Sequence, residues 1–68
     1  MNNLRKVISE ITLGKYKALI LDGPVPTYRY SKYCIDGTYY DIVPVYDAKN
    51  CIAIVSSDSF VGKIVDFV

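Results

Sequence analysis

The chain contains no histidine and no tryptophan, only two cysteines, and no unbroken apolar run longer than Cys51–Val55. Without histidine, the commonest general acid–base group near neutral pH is missing. A tetrahedral zinc site would then need carboxylates or a second chain. Cys34 and Cys51 stand 17 positions apart and form no C-x-x-C pair. They read as two reduced, buried thiols acting as small hydrophobes, with a disulfide between neighbouring strands as the alternative. A cysteine nucleophile would need Asp, Glu or Lys to activate it, and both thiols sit mid-strand among hydrophobes, where thiols are usually inert. No glycine-rich phosphate loop is present, since Gly14, Gly23, Gly37 and Gly62 are isolated turn residues. Asp22, Asp36, Asp41, Asp47, Asp58 and Asp66 fall mostly at expected turns or strand ends, an ordinary place for aspartate. A carboxylate pair for glycosidic chemistry needs a cleft that a chain this short scarcely provides. Catalysis is therefore not expected, and neither a cofactor nor a metal is implied.

Charge of one sign is also lacking. The net charge is +1, which gives no strong pull toward nucleic acid or membrane. Residues 1–17 carry Arg5, Lys6, Lys15 and Lys17 against Glu10 alone, a local excess of +3 that reads as a solvated face. The N-terminal stretch MNNLRKVISEITLG has no apolar core of a signal peptide, and no run approaches membrane-spanning length. A cytoplasmic protein without membrane contact is expected. Its 68 residues, 51% hydrophobic and 22% charged, make one folded domain spanning 1–68. A core of this size seldom yields more than about 3–5 kcal/mol of net stability, so self-association is a natural supplement.

What the chain does have is β-prone sequence cut by turn signals. Leu4–Leu13 admits two readings. Leu4, Val7, Ile8 and Ile11 match a helical template, with Asn2 or Asn3 as N-cap and Gly14 as stop. Its β-branched residues and the alternation of Val7, Ile11 and Leu13 favour a strand instead, with Gly14-Lys15 as a type II′ turn. Tyr16–Leu21 reads as a central strand. Pro24 and Pro26 break the pattern, because neither can join a ladder. Asp47–Asn50 reads as a four-residue turn, Cys51–Val55 as a short fully buried strand, Ser56–Ser59 as a polar loop and Lys63–Val68 as a last strand.

The densest feature is aromatic. Six of the seven tyrosines fall between Tyr28 and Tyr46, around Asp36-Gly37. An Asp-Gly pair between β-prone runs predicts a type I′ hairpin turn. A two-residue loop sets Lys32 against Asp41, Tyr33 against Tyr40, Cys34 against Tyr39 and Ser31 against Ile42, and continues to Tyr30 against Val43 and Tyr28 against Val45. The Lys32–Asp41 charge match supports this register. Pro44 marks its strand as an edge or a bulge. Tyrosines occupy both faces of the ribbon, so either face is a candidate to pack inward. The run Ile35–Ile54 is similar in character to small accessory proteins of bacteria or their phages, and no motif in it implies an activity.

The fold expected is mainly β: a five- or six-stranded antiparallel meander curled into a small SH3-like or OB-like open barrel. The function expected is protein interaction or self-association through the hairpin, with Tyr28, Arg29, Tyr30, Lys32, Tyr33, Tyr39 and Tyr40 as partner-binding candidates. Tyrosine and arginine are frequent at interface hot spots. The alternative is single-stranded nucleic-acid binding, with bases stacked on exposed tyrosines and Lys15 and Lys17 on phosphates. Its weakness is electrostatic, because seven acids oppose eight bases.

Overall fold

A computed structural model describes residues 3–45 and 48–68. Seven strands form one antiparallel sheet: β1 (Leu4–Leu13), β2 (Tyr16–Leu21), β3 (Lys32–Ile35), β4 (Thr38–Asp41), β5 (Pro44–Val45), β6 (Ala48–Ile54) and β7 (Ile64–Phe67). Six have four residues or more, and β5 is a two-residue edge segment. No helix occurs among the described residues. The order across the sheet is β4-β3-β7-β1-β2-β6-β5. This corrects the expected meander, in which sequence neighbours would lie side by side throughout. Three hairpins form locally, and β7 then inserts between β3 and β1. In that place Val65 and Phe67 are fully buried, with both edges of β7 paired. No ladder joins the edge strands β4 and β5 among the described residues, so the observed architecture is an open sheet.

Leu4–Leu13 is a strand throughout, which settles the first ambiguity. Gly14 takes φ of 64° while Lys15 needs no positive φ, as a type II′ turn requires. The expected shared face of Val7, Ile11 and Leu13 does not form. The register against β2 shifts between Val7 and Ser9, where β1 carries one extra residue. Such a bulge flips every later side chain to the opposite face. Val7 is therefore buried opposite Leu21, whereas Ile11 and Leu13 emerge on the outside.

The tyrosine hairpin has the register read from its turn. Lys32 faces Asp41, Tyr33 faces Tyr40, Cys34 faces Tyr39 and Ile35 faces Thr38. Asp36 and Gly37 both adopt positive φ, at 51° and 85°, the signature of type I′. Ile42 N–H donates to the Ser31 carbonyl at 2.9 Å and extends the pairing by one step. There the ribbon ends, short of the expected Tyr28 and Tyr30 pairs. The chain from Pro26 to Tyr30 turns back on itself, with the Arg29 and Tyr30 N–H groups donating to the Pro26 carbonyl. Val43 is drawn across to the other side of the sheet, where its carbonyl accepts from Ala53 N–H. Tyr46 and Asp47 lie outside the described residues, as does Asn2.

The core gathers the inner faces of both halves: Val7, Leu19, Leu21, Ile52 and Ile54 from one side, Tyr33, Ile35, Val65 and Phe67 from the other. Phe60 closes one end. It is held there by charges. Glu10 Oε2 accepts from Phe60 N–H at 3.1 Å, and Lys17 Nζ lies 3.4 Å from Glu10 Oε1. The same ammonium donates to the Asp58 carbonyl and sits 5.9 Å from the Phe60 ring centroid. Backbone hydrogen bonds from Gly62 to Val7 and from Val7 to Lys63 tie down the rest of this loop. The Phe60 amide, with help from the Lys17 ammonium, holds the Glu10 carboxyl below the ordinary carboxylate value.

Candidate interaction surface

The fold divides the seven hairpin candidates. Tyr33 is fully buried, with its ring stacked 5.3 Å from that of Tyr40 and tilted 6.0 Å from Phe67. Tyr40 and Tyr30 are half-buried against the core, Tyr30 with its ring 6.5 Å from Phe67. These three face inward and roof the core. Tyr28, Arg29, Lys32 and Tyr39 remain exposed. They form no single array. Tyr28 and Arg29 belong to the turn after Pro26, whereas Lys32 and Tyr39 lie on the outside of β3 and β4.

The two-face ambiguity therefore resolves with the Tyr33, Ile35, Tyr40 and Ile42 side inward. Lys32 and Asp41 stay wet at the far end of the outer face, 2.6 Å apart. Burial raises the Tyr33 hydroxyl far above the ordinary tyrosine value, and neighbouring Tyr40 adds to the effect. That hydroxyl has no hydrogen-bond partner among the described residues. Lys17, offered as a phosphate contact, is buried and committed to Glu10 and Asp58.

A second surface escaped the sequence reading. Beyond the bulge, the outer face of β1, β2 and β6 runs in rows set by the ladder: Ser9 beside Ile20 and Cys51, Ile11 beside Ala18 and Ala53, Leu13 beside Tyr16. Val55 follows at the end of β6. Ile11, Leu13, Tyr16 and Val55 are between 46% and 62% exposed. None of these nine residues is charged. Cys51–Val55, expected to be fully buried, alternates instead: Ile52 and Ile54 are inside, Cys51 and Ala53 half-buried, Val55 out. Period-two alternation on Ile11, Leu13 and the outer residues of Tyr16–Leu21 was the available signal, but the bulge concealed which face they shared.

Other features suit chemistry less well. A depression of about 380 Å³ lies between the β3–β4 turn and the Phe60 loop, lined by Ile35, Thr38, Tyr40, Phe60 and Ser59. The Lys63–Asp36 ion pair, 2.7 Å long, belongs to the same depression and raises the Lys63 ammonium above its ordinary value. Cys34 and Cys51 are both free thiols. Among the described residues, no cluster of three His, Cys, Asp or Glu side chains is placed to hold a metal, and no helix is long and apolar enough to cross a membrane. No protein family matches this chain, and no curated protein or solved structure does either.

Proposed function

We propose that this protein is a small non-catalytic interaction domain, and that its contact surface is the outer face of β1, β2 and β6 rather than the tyrosine hairpin. The observation that carries this reading is the apolar face on which Ile11, Leu13, Tyr16 and Val55 stand about half in water. Contiguous apolar patches beyond a few hundred Å² are uncommon on soluble monomers and usually mark a contact surface. Half-exposed side chains of this size each leave on the order of 100 Å² accessible, so the four alone reach that range. Tyr28, Arg29 and Tyr39 are secondary contacts at most, because they lie apart on separate elements.

Curling of the sheet into a small SH3-like or OB-like open barrel belongs to the same proposal. It is supported by chain length. Asp41 ends one edge strand and Pro44 begins the other, with only Ile42 and Val43 between them. Three residue steps span at most about 11 Å. Seven strands laid flat would separate the edges by about 29 Å.

Photo-crosslinking tests the reading. Benzoylphenylalanine replaces Ile11, Leu13 or, as comparison, Tyr39 in the cell. Crosslinks to protein from positions 11 and 13 are expected. Crosslinks from position 39 alone return the contact to the hairpin, and none from any position removes the reading.

The nucleic-acid reading is weaker for a specific reason. Lys17 is buried, and Lys32 and Lys63 are each joined to an aspartate, which leaves Lys15 beside the Tyr16 ring and Arg29 beside Tyr28, on separate elements, as the cations next to exposed tyrosines. Tight binding of single-stranded oligonucleotides at low salt would reinstate it.

A further inference from the structure

We infer that the occupant of the β1–β2–β6 face is a second copy of this chain, packed face to face about a two-fold axis. The inference rests on the reading of that face as a contact surface and adds the identity of the partner. Three observations converge on it.

The first is area. Ile11, Leu13, Tyr16 and Val55, with the half-buried Ile20, Cys51 and Ala53 between and beside them, offer on the order of 500 Å² per copy. Two copies together bury about 1,000 Å², the lower bound for a specific interface. A reversible dimer is the natural product of that size.

The second is charge. A two-fold interface applies the same patch to itself, so any charge on the patch meets its own image. A like-charge pair out of water is costly. The nine residues of this face carry none. The charges that border it are Lys15, whose ammonium lies 5.5 Å from the Tyr16 ring centroid at one end, and Lys6, Asp22 and Lys49 beyond the Ser9–Ile20–Cys51 row at the other. The opposite half of the sheet differs. Its outer residues include Lys6, Lys32, Asp41 and Asp66 among the apolar ones.

The third is relief. Ala18 and Ala53 sit side by side as paired residues in the middle row, and Ala18 is shaded by its larger neighbours. The low centre lies between the Leu13–Tyr16 row and the Ile20–Cys51 pair. Interdigitation of ridges with a low centre is how two sheets pack at about 10 Å.

Cys51 makes the inference testable in the unaltered protein, because it lies on this face while Cys34 lies on the other half. Sedimentation from about 5 to 500 µM is expected to show a reversible monomer–dimer equilibrium. Over the same range, alkylation of Cys51 slows as the dimer fills, and that of Cys34 does not. Leu13→Lys, an exposed position beside a turn, is expected to weaken dimerisation at least ~100-fold while circular dichroism stays unchanged. Ala18→Arg does the same where it folds; Leu13→Lys and the unmodified Cys51 decide the matter where it does not. A monomer at every concentration overturns the inference, as does a dimer indifferent to Leu13→Lys. A monomer whose position 11 crosslinks to a different protein overturns the self-pairing and leaves the interaction reading intact. A monomer that binds phosphatidylglycerol vesicles through Leu13, without protein crosslinks, overturns both.

Discussion

Lys17 and Glu10 meet diagonally across the β1–β2 ladder, 3.4 Å apart, with 9% and 18% of their side chains left in water. Each also holds the Phe60 loop: Glu10 through the Phe60 amide, Lys17 through the Asp58 carbonyl. The pair is thus the clasp between the sheet and the segment that closes one end of the core.

Removing one partner of such a pair leaves the other charge poorly solvated. Lys17→Ala is expected to destabilise the fold by about 3 kcal/mol in urea unfolding. Lys17→Met, which keeps the apolar stem over Phe60, costs less when paired with Glu10→Gln than when made alone. A loss in the double variant equal to the sum of the two single losses would refute the coupling.

The clasp also sets an acid limit. Glu10 titrates below its ordinary value of 4.5 in the folded protein, chiefly because the Phe60 amide bonds its charged form. A depressed carboxylate contributes stability that is present above the unfolded value and lost as pH falls through the folded one. The melting temperature is therefore expected to drop below about pH 4.5, and more shallowly in Glu10→Gln. Identical acid profiles would show that Glu10 is not a contributor.

Tyr33 sets the corresponding limit in alkali. Its hydroxyl is raised well above the ordinary value of 10.0 by burial. Stability is intact below that value and falls as pH rises above it, because the unfolded tyrosine ionises first. Tyrosinate absorbance from one residue is expected to appear only with unfolding. Tyr33→Phe deletes an unpartnered buried hydroxyl and is expected to change stability by less than about 1 kcal/mol, in the stabilising direction. Tyr33→Ala, which empties the space beside Tyr40 and Phe67, costs about 3–5 kcal/mol.

The hairpin turn carries its own requirement. Gly37 at φ of 85° lies where a side chain is strained even in open space, so Gly37→Ala is expected to cost about 1 kcal/mol or more. Lys32→Ala, which breaks only an exposed pair with Asp41, changes stability by at most about 1 kcal/mol. A reversed ranking in thermal melts would count against the turn as the determinant of register.

These contrasts show how far the sequence was legible. Asp36-Gly37 specifies a local geometry, so the register of Lys32–Ile35 on Thr38–Asp41 follows from a dozen residues. The inward face did not, because Tyr28, Tyr30 and Tyr39 on one side look as apolar as Tyr33 and Tyr40 on the other. Lys17 between Tyr16 and Ala18 reads as solvated, and only its diagonal relation to Glu10 accounts for its burial. The contact face was hidden by one extra residue near Ile8, which local pattern does not reveal. Strand order depended on Val65 and Phe67 reaching a gap between elements far away in the chain, and hydrophobic periodicity carries no information on such distances.

The position of β7 bears on how the molecule folds. The β1–β2 and β3–β4 hairpins are local and able to form early, yet among the described residues the ladder that unites them is the set of pairs that Ile64–Phe67 makes with Leu4–Lys6 on one side and Tyr33–Cys34 on the other. The pairs with Leu4–Lys6 close loops of nearly the whole chain and those with Tyr33–Cys34 loops of about half of it, an entropic cost met late. The two hairpins are then independent nuclei awaiting a shared last step. A weakened β7, as in Val65→Ala, should leave the folding rate almost untouched and let the native state come apart faster.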